Sequence, residues 1–316
     1  MRQLKTKIKA FLPGFILNRV VTFREQLISK KKSFMRARLR KIPFEDLIRD
    51  LKSAGIEAGD TIMVHSSLSR IGNVQGGSDT VIKCLMEVTT KDGTILMPAY
   101  GSAEDVHRCR EIVDLRTRKS RTGMITERFR CWPDVYRSSH PFSSICAWGK
   151  EAQYITADHA IEPRICHKDS PIARLVKLNG KVVGLGVSLG PVSLYHIIED
   201  TWEDFPFRVY MDPFRVKYID TAGNTIMREA LRYDPTVSST RIDHEGGKWI
   251  RERFTAHFTR KGILRWFMFG DAESWVMDTQ HLYSELKRLA GKGITMYLTK
   301  DKWITMSGGS ESTDSW

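Results

Sequence analysis

A strand, a helix and a second strand follow one another between residues 61 and 98, and this order constrains the fold more than any other feature. Residues 61–65 and 93–98 are short apolar runs typical of buried strands, and residues 78–88 between them have the spacing of a helix. Two strands joined through a helix lie parallel in a sheet. The sequence therefore predicts an α/β fold that contains a parallel β-α-β unit.

Later segments add elements of a different kind. Further strands are predicted at residues 145–148 and 181–186, helices at 170–178, 194–201, 248–260 and 278–291, and a hairpin from 209–210 with 214–220. Hairpin strands pair antiparallel. We therefore expect an α/β fold with one mixed central sheet flanked by helices, in a single domain over residues 42–306.

Residues 1–41 differ from the rest of the chain in charge. They contain thirteen of the 50 Lys and Arg residues and one acid, Glu25, so they carry +12 of the net charge of +13. Apolar residues such as Phe11, Phe15 and Leu27 are interspersed with these bases, a composition typical of amphipathic segments on anionic membrane surfaces. A helix packed on the body of the protein is the main alternative, and a nucleic-acid contact is less favoured.

Several classes of protein are excluded by what the sequence lacks. No apolar run reaches the roughly 20 residues of a membrane-spanning helix, and the first residues lack the apolar core of a signal peptide. A cytoplasmic location is expected, with peripheral contact at the inner face of the membrane through residues 1–41. Five scattered cysteines without a C-x-x-C pair indicate reduced thiols, and no metal site is expected. Residues 307–316 are expected to be disordered; oligomeric state is not predicted.

A loop rich in hydroxyl groups and glycines follows the first predicted strand. Ser66, Ser67 and Ser69 come directly after it, and Gly76 and Gly77 precede the next helix. Backbone N–H groups and hydroxyls at the start of a helix bind anions. The loop therefore indicates a ligand that bears phosphate, with an ordinary capped loop as the alternative. The P-loop pattern G-x-x-x-x-G-K-[ST] is absent, so nucleotide hydrolysis is not indicated.

Residues 186–190 match the G-x-S-x-G pattern of a hydrolase, with Ser188 as nucleophile. A predicted strand precedes this segment and a helix follows it, as the pattern requires. The later histidines, His244, His257 and His281, have no marked setting, so a serine hydrolase is the weaker alternative. The glycine spacing also misses the dinucleotide-binding pattern by one residue.

One histidine stands close to two carboxylates on a predicted helix. His196 lies three residues before Glu199 and four before Asp200, so a carboxylate is within reach of the imidazole on one face. A histidine oriented by a carboxylate is the minimum equipment for accepting a proton from an incoming nucleophile. A hydrogen-bonded core histidine is the alternative. His140, followed by Pro141, is a second candidate for ligand contact.

Together these segments resemble the antibiotic N-acetyltransferase family, which includes the aminoglycoside 3-N-acetyltransferases. The resemblance spans roughly residues 43–292. Its blocks are residues 65–69 with 76–82, 92–98, 122–130, 137–149, 170–175, 185–199 and 270–274. Ser193 stands where the family usually has Thr, and residues 186–190 become the glycine loop of the family, which weakens the hydrolase alternative.

The resemblance implies the fold of the aminoglycoside 3-N-acetyltransferases, acetyl-coenzyme A as cosubstrate and a small-molecule amine as acceptor. It implies His196 as general base, oriented by Glu199 or Asp200, and a downstream acid for which Asp234 is the candidate. No acyl-enzyme is required, because amine and thioester can meet in one ternary complex. Coenzyme binding is assigned to His65, Ser66, Ser67, Leu68, Ser69, Gly76, Gly77, Arg137, Ser138 and His140.

The acceptor region, residues 200–245, departs most from the family pattern. A site for a polycationic antibiotic should be rich in carboxylates. Four acids stand within six residues, but six bases follow: Arg208, Arg215, Lys217, Arg228, Arg232 and Arg241. The basic arm suits an enzyme close to a membrane. The sequence therefore favours an amino-sugar acceptor in surface-polysaccharide biosynthesis, with aminoglycoside acetylation and antibiotic resistance as the alternative and a catalytically silent binding protein as a third possibility.

Overall fold

The structure is a computed structural model that describes residues 40–101, 112–308 and 316. The basic arm lies outside the described residues except for its last two, as do residues 309–315 of the predicted tail. The expected membrane contact of the arm therefore stays a prediction. No helix in the described part of the chain is long and apolar enough to cross a membrane.

The described strands and helices alternate through the first half of the chain and include a hairpin in the second. The strands are β1 (Lys41–Ile42), β2 (Thr61–Ser66), β3 (Asn73–Val74), β4 (Thr94–Pro98), β5 (Val113–Asp114), β6 (Tyr136–Arg137), β7 (Ile145–Gly149), β8 (Lys181–Leu185), β9 (Phe214–Ile219), β10 (Thr225–Ala230), β11 (Leu264–Phe269) and β12 (Ala272–Asp278). The α-helices are α1 (Phe44–Ser53), α2 (Leu68–Ile71), α3 (Gly77–Thr89), α4 (Met124–Arg130), α5 (Ala152–Thr156), α6 (Pro171–Lys177), α7 (Ile197–Thr201), α8 (Pro235–Ser238), α9 (Lys248–Arg260), α10 (Thr279–Ala290) and α11 (Lys300–Met306).

A seven-stranded sheet of order β11-β12-β8-β2-β4-β7-β6 forms the centre of the fold. Strand β2 pairs parallel with β4 and with β8, whereas β12, β11, β7 and β6 add antiparallel pairs at the two sides. Strands β10, β9 and β5 form a smaller sheet. The predicted β-α-β unit and mixed central sheet are confirmed.

The central sheet is buried on both faces, because its strands alternate side chains between two apolar layers. On β2, Met63 belongs to the layer that also contains residues of α6, α9 and α10. Its neighbours Ile62 and Val64 belong to the opposite layer, with residues of α1, α3 and α4. By the same alternation His65 lies on the face of Met63. The strand pattern thus decides the face to which this histidine belongs.

The carboxyl ends of the parallel strands β2, β4 and β8 meet at one edge of the sheet. The Ser67 N–H donates to the Leu185 carbonyl over 2.9 Å, which ties the loop after β2 to the end of β8. In α/β sheets the crevice outside the carboxyl ends of parallel strands is the usual place for ligands. This edge is therefore where a functional site is expected.

The hairpin differs from the prediction. Strand β9 pairs antiparallel with β10, not with residues 209–210. Phe214 is paired with Ala230 at one end of the hairpin and Ile219 with Thr225 at the other. The Asp220 carboxylate accepts from the N–H groups of Ala222 and Asn224 and so forms the turn. Tyr210 instead forms an isolated bridge with Tyr233. Asp220 followed by Gly223 and Asn224 is the turn signal of this hairpin.

Trp316, at the end of the tail predicted to be disordered, packs against other aromatic residues, whereas residues 309–315 lie outside the described residues and the prediction for them is untested. Trp316 is 6% exposed. Its ring lies within 6.1 Å of the rings of Trp249, Phe254 and Trp303, measured between centroids.

Candidate active site

A cavity of about 480 Å³ opens at the carboxyl edge of the parallel strands. Each parallel strand contributes lining from its end or from the loop that follows it, and the segment after β10 closes the other side. Its lining includes Ser66 after His65 on β2, Tyr100 after β4, Val187 after β8, Ser193 and His196, and Arg232, Tyr233, Arg241 and Asp243.

The wall after β8 is fixed by a glycine and a tryptophan. A Cβ atom on Gly184 would lie 2.1 Å from the Trp275 ring, so β8 and β12 pack closely only because residue 184 has no side chain. The Trp275 indole N–H then donates to the Val187 carbonyl over 2.7 Å. This bond holds the glycine loop where it borders the cavity.

His196 lies at the junction of a 3₁₀ helix, Ser193–His196, and α7. Its Nδ1 is 2.7 Å from Glu199 Oε1, and the Glu199 side chain is fully buried while that of His196 is 20% exposed. Because an ionised carboxylate only accepts, Nδ1 carries the hydrogen and Nε2 keeps its lone pair. The arrangement therefore makes Nε2 the nitrogen that can accept a proton.

Three tyrosines and Asp200 surround this pair. Tyr297 donates its hydroxyl to the second oxygen of Glu199 over 2.5 Å, and the Tyr233 hydroxyl lies 2.9 Å from His196 Nδ1. Asp200 instead accepts from the Tyr210 hydroxyl and from the Cys166 N–H. Of the two carboxylates that the sequence left open, Glu199 is the one that contacts His196.

Burial governs the charge of the surrounding groups. It raises the pKa of Asp200 to about 7, with the Glu199 charge as second cause. Burial also raises the pKa of Tyr297 and Tyr233 well above the ordinary value for tyrosine, with the charge of Glu199 acting in the same direction. Both phenols therefore stay protonated at neutral pH, and Tyr297 acts as a hydrogen-bond donor to Glu199.

A second group of polar side chains faces the cavity from β2 and the loop after β4. The Ser193 N–H donates to His65 Nε2 over 3.4 Å, and burial lowers the pKa of His65 to about 4, so this imidazole is neutral. Tyr100 donates its hydroxyl to Ser193 Oγ over 2.8 Å. The Ser193 hydroxyl is thereby left to donate its own hydrogen to another acceptor.

The predicted anion loop lies beside the cavity. Ser66 lines it, and the hydroxyl oxygens of Ser67 and Ser69 are 3.2 Å apart. Gly76 and Gly77 have φ of +83° and +63°, a conformation that favours glycine, and they lead into the thirteen-residue helix α3. No side chain in the described part of the chain caps that helix. Its first N–H groups are therefore available to an anion.

Arg137, Ser138 and His140 are engaged within the protein instead of facing the cavity. Arg137 donates to the carbonyls of Leu115, Arg118 and Ala99. The Ser138 hydroxyl bonds to His159, and His140 Nδ1 accepts from the Ser143 N–H over 3.0 Å. Ser143 and Phe142 line the cavity. The geometry gives these three residues a supporting role behind the wall, and their predicted contact with coenzyme A stays a prediction.

The acidic residue on the far wall is Asp243, not Asp234. Asp234 accepts from the Thr236 N–H at the start of α8 and does not line the cavity. Asp243 lines it and forms two hydrogen bonds with Arg241, over 2.5 and 2.8 Å. Burial raises the pKa of Asp243, but these bonds outweigh it and hold the pKa below the ordinary value. Asp234 followed by Pro235 matches the start of a helix, and the catalytic role predicted for Asp234 stays a prediction.

Ser188 lies in a different place from the histidine that a serine hydrolase would need. It is exposed and lines a second cavity with Arg70, Arg251 and Trp266. No histidine of the described ranges lines that cavity. The nucleophile elbow predicted as an alternative is therefore not formed. Within the same ranges no group of three His, Cys, Asp or Glu side chains is placed to hold a metal ion.

The chain matches the family model described as aminoglycoside 3-N-acetyltransferase over residues 63–290. This match places the protein among the acyltransferases that act on amines. The mixed sheet, with a histidine–carboxylate pair at the carboxyl edge of its parallel strands, agrees with that class. Within that class the chain belongs to the antibiotic N-acetyltransferase family. The family predicted from the sequence is confirmed.

Individual relatives support the assignment. Aminoglycoside N(3)-acetyltransferase III of Pseudomonas aeruginosa is 26% identical over 253 residues, 75% of this chain and 89% of the relative. Aminoglycoside N(3)-acetyltransferase VIII of Streptomyces fradiae is 36% identical over 170 residues, 48% of this chain and 59% of the relative. The solved structure of AAC-IIIb in a binary complex with CoASH is 27% identical, covers 78% of this chain and 94% of its own, and has a TM-score of 0.66.

Proposed function

We propose that the protein transfers an acetyl group from acetyl-coenzyme A to a primary amine of an aminoglycoside-type amino sugar, with His196 as general base. The observation that carries the proposal is the hydrogen-bonded chain from Tyr297 through Glu199 to His196, which ends in the cavity at the carboxyl edge of the sheet. The complex of a relative with CoASH supports the cosubstrate.

The comparisons favour an aminoglycoside acceptor over the surface-polysaccharide precursor expected from the sequence. The relatives are named aminoglycoside N(3)-acetyltransferases, including one from Acinetobacter baumannii. A further solved structure, under 25% identical, is of AAC-VIa with sisomicin bound. Acetylation of an aminoglycoside amine, and with it antibiotic resistance, is therefore the first activity to test.

In the proposed reaction His196 removes the proton that the amine must lose. An alkylammonium has no lone pair, so attack requires proton loss to a neighbouring base. Glu199 keeps the hydrogen of the imidazole on Nδ1 and Tyr297 keeps Glu199 in place, so Nε2 accepts the amine proton. The bond that forms joins the amine nitrogen to the acetyl carbon, and the bond that breaks joins that carbon to the sulfur of coenzyme A. The sulfur leaves as thiolate and takes up the proton from His196 to give the free thiol of coenzyme A.

Ser193 is the candidate donor to the oxygen that becomes negative during attack. It lies three residues before His196 in a 3₁₀ helix, where side chains at i and i+3 eclipse. Tyr100 donates to its oxygen, so the Ser193 hydrogen can be directed into the cavity. A donor fixed in this way stabilises developing negative charge without reorganisation.

The residues present fit coenzyme A, which is anionic and extended in shape. The uncapped start of α3, with Gly76, Gly77 and the hydroxyls of Ser67 and Ser69, supplies donors for its phosphates. Ser66 leads from that loop into the cavity that contains His196. This path supports coenzyme binding along residues 66–77, with the thioester directed toward Ser193 and His196.

Release of the coenzyme A thiol tests the function directly. We expect the full-length protein to release thiol from acetyl-coenzyme A only when a primary amine is present, and we expect 3-amino-bearing aminoglycosides such as kanamycin to act as acceptors. Mass spectrometry should show one added acetyl group per turnover. Binding of acetyl-coenzyme A with no thiol release for any amine would contradict the proposal and favour a catalytically silent binding protein.

The same assay tests the coenzyme loop. Replacing Ser67 and Ser69 together by Ala should raise the KM for acetyl-coenzyme A by about 100-fold or more, because each lost hydrogen bond to a charged group costs about 1.5–3 kcal/mol, and should leave the KM for the amine unchanged. Ser53→Ala is the matched control, since its hydroxyl bonds only to a carbonyl of its own helix α1. An unchanged KM for acetyl-coenzyme A would remove this loop from the site.

Residues 1–41 are a separate part of the proposal, because their charge of +12 and interspersed apolar residues support contact with an anionic membrane. The full chain should sediment with anionic vesicles in a salt-sensitive manner, since such attraction is screened over about 10 Å at 0.1 M salt. A chain starting at Lys41 should lose this binding and keep its turnover. Equal vesicle binding by both chains would reject the membrane role.

A further inference from the structure

Two guanidinium groups line the side of the cavity formed by the segment after β10. Arg232 lines it, and its guanidinium forms no hydrogen bond or ion pair with any described residue. Arg241 directs Nε and Nη2 to Asp243, and its Nη1 is buried without a hydrogen-bond partner among the described residues. Buried donors are nearly always paired in native proteins. These two side chains therefore leave donors for a bound ligand.

Both arginines line the same cavity as the proposed base, His196. The guanidinium carbon of Arg241 lies 4.8 Å from the centroid of the Tyr233 ring. Tyr233 in turn follows Arg232 in sequence, and its hydroxyl is 2.9 Å from His196 Nδ1. A ligand whose amine reaches His196 thus occupies the cavity that the two arginines line.

The negative charge available on this wall is small. Among the described residues Asp243 is the one carboxylate that lines the cavity, and Arg241 already holds it. Glu199 and Asp200 are committed to the hydrogen bonds around His196, and the exposed Glu203 and Asp204 do not line the cavity. A polycationic acceptor would therefore bring further ammonium groups toward two guanidiniums, whereas a phosphate would complement them.

We propose that Arg232 and Arg241 bind a phosphate group of the acceptor, so that the substrate is an amino sugar that carries a phosphate near its reacting amine. Guanidinium groups bind phosphate through paired charge-assisted hydrogen bonds, which fix orientation as well as adding affinity. The proposal rests on the acetyl transfer proposed above and predicts that a phosphorylated amino sugar is a better acceptor than an unmodified one.

Matched acceptors test the inference in the thiol-release assay: glucosamine against glucosamine 6-phosphate, and an aminoglycoside against its O-phosphorylated form. The phosphorylated member of each pair should have the higher kcat/KM. Arg232→Gln should raise the KM for phosphorylated acceptors by about 10-fold or more and leave that for the unphosphorylated members within about 2-fold. Arg208→Gln is the control, because Arg208 belongs to the same acceptor region but is 64% exposed and pairs with Asp212.

The outcomes separate this inference from the proposed function. Thiol release with unmodified aminoglycosides and no gain from phosphate would overturn the inference and leave the acetyl transfer intact. A rise in the KM for acetyl-coenzyme A in Arg232→Gln would assign the arginines to the phosphates of the coenzyme, which also overturns it. If no amine supports thiol release, the acetyl transfer is contradicted, and calorimetry then decides the phosphate site. Binding of glucosamine 6-phosphate by the wild type and its loss in Arg232→Gln would support the phosphate site alone, and no binding by the wild type would contradict it as well.

Discussion

Replacing His196 by Ala or by Gln should lower turnover by about 10²- to 10⁴-fold, the usual contribution of a positioned proton acceptor. The affinity for acetyl-coenzyme A should change little, because the proposed base acts on the amine. The loss should shrink as pH rises, since more of the amine is then already deprotonated. Initial rates of thiol release between pH 6 and 10, per folded molecule, check all three expectations.

The controls for His196 distinguish three roles. A serine hydrolase would lose its activity in Ser188→Ala and form an acyl-enzyme, whereas we expect Ser188→Ala to retain the wild-type rate, since Ser188 lines the other cavity. A purely structural histidine would lower the melting temperature in His196→Ala and leave turnover per folded molecule unchanged. A near wild-type rate in folded His196→Ala protein would contradict the proposed mechanism.

The spacing of residues along the chain was enough to predict the β-α-β unit and the contact between His196 and Glu199. The β-α-β unit follows from apolar runs around a helical pattern, and the contact of His196 with Glu199 follows from a separation of three residues. Both rest on periodicities of the backbone that hold in any context. The family resemblance then placed these parts in one enzyme class.

The residues that the sequence did not indicate reach the site from distant segments. Tyr297 contacts Glu199 across 98 positions, and Tyr100 contacts Ser193 across 93. Both tyrosines lie in loops without a periodic pattern, and nothing local distinguishes a phenol that donates into a site from one that packs in a core. Only the closure of the sheet brings these residues together.

Buried polar residues also explain the predictions that the geometry does not favour. Arg137 and His140 are residue types that are common in ligand-binding sites. Here each forms hydrogen bonds with backbone groups behind the cavity wall. An arginine that binds a phosphate and one that satisfies loop carbonyls look alike in sequence. Asp234 and Asp243 differ in the same way, because one caps a helix and the other lines the cavity.

Replacing Glu199 by Gln should lower turnover by about 10²-fold or more, although the shape of the side chain is kept. The carboxylate accepts from both His196 Nδ1 and the Tyr297 hydroxyl. An amide has one accepting oxygen, and if Tyr297 keeps it, the NH₂ group faces Nδ1 and forces the hydrogen of the imidazole onto Nε2. The nitrogen that should accept the amine proton is then blocked.

The matched variants for this prediction are two tyrosines. Tyr297→Phe removes one donor from Glu199 and keeps the carboxylate, so we expect a smaller loss of kcat, about 3- to 10-fold for one hydrogen bond, at unchanged KM for acetyl-coenzyme A. Tyr283→Phe should keep the wild-type rate, because its hydroxyl lies 3.5 Å from Thr201 and does not contact the network. Since Gln removes both the charge and the correct hydrogen position whereas Phe removes only support, the order Glu199→Gln, Tyr297→Phe, Tyr283→Phe in falling severity is required. Equal rates for Glu199→Gln and Tyr283→Phe would mean that Glu199 is a core acid and that another group orients His196.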